Sequence, residues 1–130
     1  MAKRKSVVNR IDTLARKIVR LRDGRCQCPE CKGNGTKLEV AHVAITRKYY
    51  ISRWDLINLL LMCDKCHNKF DANHAWGMTW FAVKYPVRTS YLAGLEVLKN
   101  SPEERTRTWR DCDLIEIEDK LKEKLKEMEI

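Results

Sequence analysis

Two cysteine pairs at two-residue spacing, Cys28-Pro29-Glu30-Cys31 and Cys63-Asp64-Lys65-Cys66, carry the strongest chemical signal in the chain. Such pairs can supply the four thiolates of a tetrahedral structural zinc ion at about 2.3 Å each. The spacing lets both sulfurs of a knuckle face one ion while nearby backbone amides support them. Metal binding then becomes part of the folding free energy. Cys26 stands two residues before Cys28 and offers a competing ligand, whereas Cys112 has no partner at metal spacing and is expected as a core thiol. The duller reading of the four is a set of buried free cysteines.

Between the pairs lies Leu38-Glu39-Val40-Ala41-His42-Val43, a strand-like run ending on a histidine. A polar and aromatic loop from Thr46 to Asp55 follows, then Asn58, the apolar run Leu59-Leu60-Leu61-Met62, and Cys63 to His67. The order reads strand, loop, short strand, helix. His42, Asn58 and His67 therefore fall in sequence within one metal-stapled segment.

This arrangement resembles the ββα-metal (HNH) nucleases, and among them the phage recombination endonucleases of the NinG or Rap type. The likeness spans most of the chain. It rests on a basic N-terminal helix, the Cys28/Cys31 knuckle, His42, Arg53, Asn58, the Cys63/Cys66 knuckle and a helical tail near Thr108-Trp109. A triplet nested between two knuckles is far more specific than a lone triplet.

The resemblance implies metal-dependent hydrolysis of phosphodiester bonds in DNA. In that reading His42 accepts a proton from the attacking water, which suits a neutral imidazole near pH 7. His67 binds a divalent cation such as Mg²⁺, which stabilises charge on the phosphate and the leaving oxygen. Asn58 braces the loop and so holds His42, and Arg53, with Arg47 and Lys48, clamps phosphate. One departure stands out. Many members carry an Asp or His just before the general base as a second metal ligand, and here that position is Ala41. Glu39 shares a strand face with Ala41, and Asp71 lies one helical turn after His67; either can replace the missing ligand, with Glu39 slightly favoured.

Each role has a plainer counterpart. His42 could be a structural histidine at a strand end, and His67 a zinc ligand in place of one cysteine. Asn58 could be a turn residue, Arg47 and Arg53 solvated loop charges, and Trp54 a core anchor for the loop. For the whole chain three readings follow: a structure-selective endonuclease on branched DNA such as Holliday junctions, an HNH homing, restriction or packaging nickase, or a non-catalytic zinc module that binds DNA. Two coordinated cuts would suit a homodimer.

These residues need elements to hold them. A chain of 130 residues with 44% apolar composition is one domain. The expected class is α+β, with a small zinc-stapled ββα-metal core (26–74) between a basic helical arm (1–25) and a helical C-terminal part (75–130). The first helix is expected over about Ser6 to Leu21, with Val7, Val8, Ile11, Leu14, Ala15, Ile18 and Val19 as its packing stripe. Asp23-Gly24 should end it. Residues 75–100 read as helical, split at Pro86, with Trp80, Phe81, Val83, Leu92, Leu95, Val97 and Leu98 as packing residues. Ser101 and Thr108 read as helix caps with an acid three positions later. The last helix carries the stripe Leu114, Ile117, Leu121, Leu125 and Met128, which could pack within the chain or form a dimer interface.

Charge is unevenly spread. The chain carries a net +8, residues 1–25 a local +7 and residues 111–130 a local −4. Lys3, Arg4, Lys5, Arg10 and Lys17 are thus expected along a phosphate backbone, together with Arg47, Lys48 and Arg53 of the loop. No run approaches the roughly 18 apolar residues of a membrane span. Lys3-Arg4-Lys5 looks like the start of a signal peptide, but Val7-Val8-Asn9-Arg10-Ile11-Asp12 breaks any hydrophobic run. Cysteines at metal spacing in such a chain point to a reducing, cytoplasmic setting, that of the host cell if the protein is phage-encoded.

Overall fold

A computed structural model describes residues 2–129, with side chains from Arg4 onward. Nine regular elements follow in order: α1 (Ala2–Asp23), β1 (Leu38–His42), α2 (Tyr50–Arg53), β2 (Leu59–Cys63), α3 (Asp64–Ala72), α4 (His74–Lys84), α5 (Pro86–Lys99), α6 (Pro102–Arg105) and α7 (Asp111–Met128). A single 3-10 turn, Leu56–Asn58, leads into β2. The class is mixed helix and sheet. Among the described residues no helix is long and apolar enough to cross a membrane.

The strands pair antiparallel, with Leu38 opposite Cys63 and His42 opposite Leu59. Both faces of this ribbon are covered, which is why β2 is buried along its whole length and reads as a continuous apolar run. On one face Val40, Leu59 and Leu61 meet Ile11, Ile18 and Leu114 of α1 and α7. On the other, Ala41, Leu60 and Met62 meet Phe70, Phe81 and Leu92 of α3, α4 and α5.

Helix boundaries follow local chemistry. α1 ends where Gly24 takes a left-handed φ of 72° and its amide bonds the Arg20 carbonyl. Pro86 separates α4 from α5, as expected. The Ser101 hydroxyl accepts the Glu104 amide and opens α6. The start expected at Thr108 instead falls at Asp111, because the Asp113 carboxylate takes the Arg110 amide at 2.8 Å. Val83, Val97 and Leu98, expected in the packing, are exposed on the outer sides of α4 and α5. Cys112, expected in the core, is exposed at the start of α7.

The basic N-terminus is not a free arm. α1 packs chiefly against α7, and its cations meet that helix's acids: Arg10 with Glu118 at 2.8 Å, Lys17 with Glu129 at 3.4 Å, and Arg4 with Asp111 at 3.2 Å. Three ion pairs thus link the +7 and −4 segments inside the chain. The α7 stripe packs within the chain by the same contact, with Leu114 and Leu121 in the core.

Two helical glycines separate packing from backbone effects. A Cβ on Gly77 would sit 2.4 Å from the Phe70 ring, whereas one on Gly94 meets nothing within 4 Å. Gly77→Ala is expected to destabilise by about 1–3 kcal/mol. Gly94→Ala should stabilise by about 0.4–1 kcal/mol through the unfolded chain. Denaturant midpoints should therefore move in opposite directions.

Candidate active site and metal centre

The C-terminal end of β2, the first turn of α3 and the segment before β1 bring four sulfurs together. Those of Cys26, Cys31, Cys63 and Cys66 all lie within 4.8 Å of one another, and the cysteines are free thiols. The Cys31 and Cys63 sulfurs are 3.9 Å apart, near the roughly 3.8 Å edge of a tetrahedron with 2.3 Å metal–sulfur bonds. The set thus fits a structural zinc ion. Burial raises the Cys26 and Cys66 thiols, whereas the hydrogen bond from the Gly33 amide lowers that of Cys31.

Cys26 therefore replaces Cys28 in the expected ligand set. The Cys28 carbonyl accepts the Cys31 amide at 3.2 Å, closing a turn that returns Cys31 to the cluster. The Cys28 amide supports the Cys26 sulfur, and the Cys28 side chain packs into the core. Gly33, at φ 71°, turns its amide to Cys31 Sγ at 3.4 Å. The chain then passes over Cys63 so closely that a Cβ on Gly35 would lie 2.4 Å from its Cβ.

At the opposite end of the ribbon, Asn58 is fully buried. Its Oδ1 accepts the amides of Ala44 and Ile45 at 3.0 and 3.1 Å, and its Nδ2 donates to the Ile45 carbonyl at 2.8 Å. The Asn58 carbonyl accepts the Val43 amide, and His74 Nε2 donates to the Val43 carbonyl at 2.7 Å. The three residues after His42 are thereby fixed. More than a turn residue, Asn58 is a complete brace.

His42 Nε2 lies 2.9 Å from the Arg53 carbonyl. A carbonyl only accepts, so Nε2 carries the proton in the neutral ring and Nδ1 keeps its lone pair. Burial holds the imidazole below the ordinary histidine value, outweighing the opposing effect of that carbonyl. The histidine opens on a cleft of about 320 Å³ shared by His67 and Asp71 of α3, Asp12 and Arg16 of α1, and Arg47 and Arg53.

His67 lies outside the sulfur cluster and between two carboxylates. Its Nδ1 is 2.9 Å from Glu39 Oε1 and its Nε2 is 3.4 Å from Asp71 Oδ2. Both expected replacements for Ala41 thus reach His67, from opposite sides. Asp71 lines the cleft and Glu39 does not. Ala41 itself is buried in the core, 2% exposed.

Arg53 is neither a free clamp nor a solvated charge. Its Nε and Nη2 bind both oxygens of Asp12 at 3.1 and 2.7 Å, and Trp54 Nε1 donates to the same carboxylate at 2.7 Å. Trp54 is the core anchor expected of it, 4% exposed. Of the remaining basic residues expected on DNA, Arg4, Arg10 and Lys17 pair with α7, Lys5, Arg47 and Lys48 are exposed, and the Lys3 side chain lies outside the described residues. Asp12 was not singled out from sequence; that it is one of only two acids among the first 25 residues was its only signal. Arg16, one helical turn after it, was expected only on the side of the first helix that faces polyanion.

Comparison with family models, curated proteins and solved structures finds no match.

Two measurements test this geometry. Cys26→Ser is expected to lose tightly held zinc and much of its stability, and Cys28→Ser to retain the metal; elemental analysis and unfolding in a chelator decide between the two ligand sets. The second concerns Asp12. Burial works to raise its carboxyl, but hydrogen bonds from Arg53 and Trp54 outweigh it and hold the group below its ordinary value. A lowered folded-state value stabilises above the unfolded value, and that contribution disappears as pH falls through the folded one. Asp12→Asn should therefore be less stable than wild type, by a margin that is full above about pH 4 and narrows in acid.

Proposed function

We propose that the chain is a metal-dependent endonuclease of the ββα-metal (HNH) kind that hydrolyses phosphodiester bonds in DNA, acting selectively on branched substrates such as Holliday junctions. One observation carries the reading. A histidine with a free, neutral Nδ1 shares a cleft with an imidazole–carboxylate pair and with two cations that lack an ion-pair partner among the described residues, Arg16 and Arg47.

The chain's residues divide the work. His42 Nδ1 takes a proton from water as it attacks phosphorus, while the Arg53 carbonyl holds the Nε2–H and stabilises the imidazolium that forms. His67 Nε2 and Asp71 offer a nitrogen and a carboxylate oxygen to one divalent cation, a donor set that Mg²⁺ accepts when water completes it. Such an ion, when bound, neutralises charge on the phosphate and the leaving oxygen. Glu39 orients the ring through Nδ1, in the manner of carboxylate–histidine–metal triads. Asp71 is therefore the proposed ligand in place of the sequence-favoured Glu39. Arg16 and Arg47 orient the phosphate, and Arg53 acts as a positioning residue through its main chain. Branched DNA as the preferred substrate rests on the resemblance to phage recombination endonucleases.

A second reading, a zinc module that binds DNA without cutting it, is favoured by Ala41, which removes a common metal ligand.

The test uses zinc-loaded protein with four-way junction, flap and linear duplex DNA, with and without added Mg²⁺. Junction cleavage that requires Mg²⁺ is expected. His42→Ala should lower it by roughly 10²- to 10⁴-fold with DNA binding unchanged. Asp71→Ala should abolish cleavage at low Mg²⁺, and Glu39→Gln should raise the Mg²⁺ requirement by about 10- to 100-fold. Binding without cleavage of any substrate by the wild type would establish the second reading instead.

A further inference from the structure

The loop before β2 has a second side. Thr46 and Arg47 face the cleft that holds His42, whereas Lys48, Tyr49, Tyr50 and Ile51 line a separate cleft of about 510 Å³ together with Arg105, Arg107 and Trp109. α2 is the wall between them, with Tyr50 on one side and Arg53 on the other. We infer that this second cleft binds an unpaired DNA strand adjacent to the cut site. The inference rests on the nuclease reading for that adjacency, but not for the binding itself.

Three observations support it. The lining is basic: it carries Arg4, Lys48, Lys99, Arg105 and Arg107 with one acid, Glu104, and of these cations Arg4 pairs with Asp111 at 3.2 Å, Lys99 with Glu96 at 2.6 Å and Arg107 with Glu104 at 3.6 Å. Lys48 and Arg105 are exposed and have no ion-pair partner among the described residues. Cations sit on aromatic faces, with Arg107 3.7 Å from the Trp109 ring centre and Lys48 4.9 Å from that of Tyr49. A face that holds a guanidinium also holds a nucleobase, and displacing Arg107 from Trp109 would free its charge for phosphate. Tyr50 meets Trp54 at 5.1 Å and Trp109 at 5.9 Å, so an aromatic row runs through the wall from one cleft to the other.

Stacking on these rings selects unpaired bases, because those of a duplex already stack on each other and present only their edges. Phosphate-binding cations alternating with aromatic faces are what a single strand needs. A branch point offers such a strand next to a duplex arm. The duplex arm would lie on the side of Arg16 and Arg47.

The probe is a fluorescein-labelled oligothymidylate of about 12 nucleotides, read by anisotropy on the zinc-loaded His42→Ala protein so that cleavage cannot intervene. The parent is expected to bind it with an affinity that falls with salt. Trp109→Ala should weaken binding about tenfold. Lys48→Glu combined with Arg105→Glu alters only exposed positions and should weaken it at least as much, with a flatter salt slope. Zinc content and circular dichroism verify that each variant is folded. If both folded variants bind the oligothymidylate like the parent, or if oligouridylate binds more tightly, the inference is overturned. Failure of wild-type protein to cut any substrate would overturn the nuclease reading and leave the binding result intact.

Discussion

A ribbon of two strands with five residues each does not hold itself together in water, and the candidate site hangs on such a ribbon. The chain solves this by clamping both ends. At the Leu38–Cys63 end, four cysteine thiols converge from the ribbon, α3 and the segment before β1, a set that a zinc ion would tie together. At the His42–Leu59 end, the Asn58 amide is buried and its hydrogen bonds run to Ala44 and Ile45. Burying an amide costs free energy unless it is bonded. Asn58 therefore tolerates one local backbone path, and that path fixes where His42 stands.

Electrostatics follow a similar logic of internal satisfaction. A +7 segment reads from sequence as a nucleic-acid arm, yet three of its nine cations pair with acids of the C-terminal segment, and α1 and α7 form one face of the core. Glu118 is nearly buried in that contact, with its side chain 7% exposed against Arg10 at 52%. Other cations lack an ion-pair partner among the described residues, four of them at the two clefts. Arg16 and Arg47 stand at one cleft and Lys48 and Arg105 at the other, on either side of a single loop. Net charge predicted polyanion affinity in general terms. Pairing decides where on the surface it acts.

Much of the architecture was legible because it follows from periodicity and punctuation. β1, the buried apolar β2, the helix at His67, the break at Pro86 and the stop at Gly24 all express local rules. The juxtaposition of His42, Asn58 and His67 was legible as a motif. What escaped were choices between equivalent neighbours. Cys26 and Cys28 differ by two positions, and only the folded chain shows that the Cys26 sulfur joins Cys31, Cys63 and Cys66. Glu39 and Asp71 both satisfy the spacing to His67, and only their positions relative to the cleft separate them. Arg53 looked like a loop cation because its partner, Asp12, is 41 residues away in sequence. Long-range pairing of this kind leaves almost no local trace.

That pairing also changes what Arg53 can do. A guanidinium held by both oxygens of a carboxylate, with a side chain 11% exposed, gives up a well-formed ion pair if it turns to phosphate. Staying put, it fixes the main chain whose carbonyl receives His42 Nε2–H. Asp12 in turn is fixed by Trp54 as well as by Arg53. The orientation of one imidazole thus runs back, through a carbonyl and an ion pair, to a helix whose other face is packed on α7. On this account the terminal helices are parts of the site rather than appendages to it. They bear on the tautomer of His42 only through the Arg53 carbonyl.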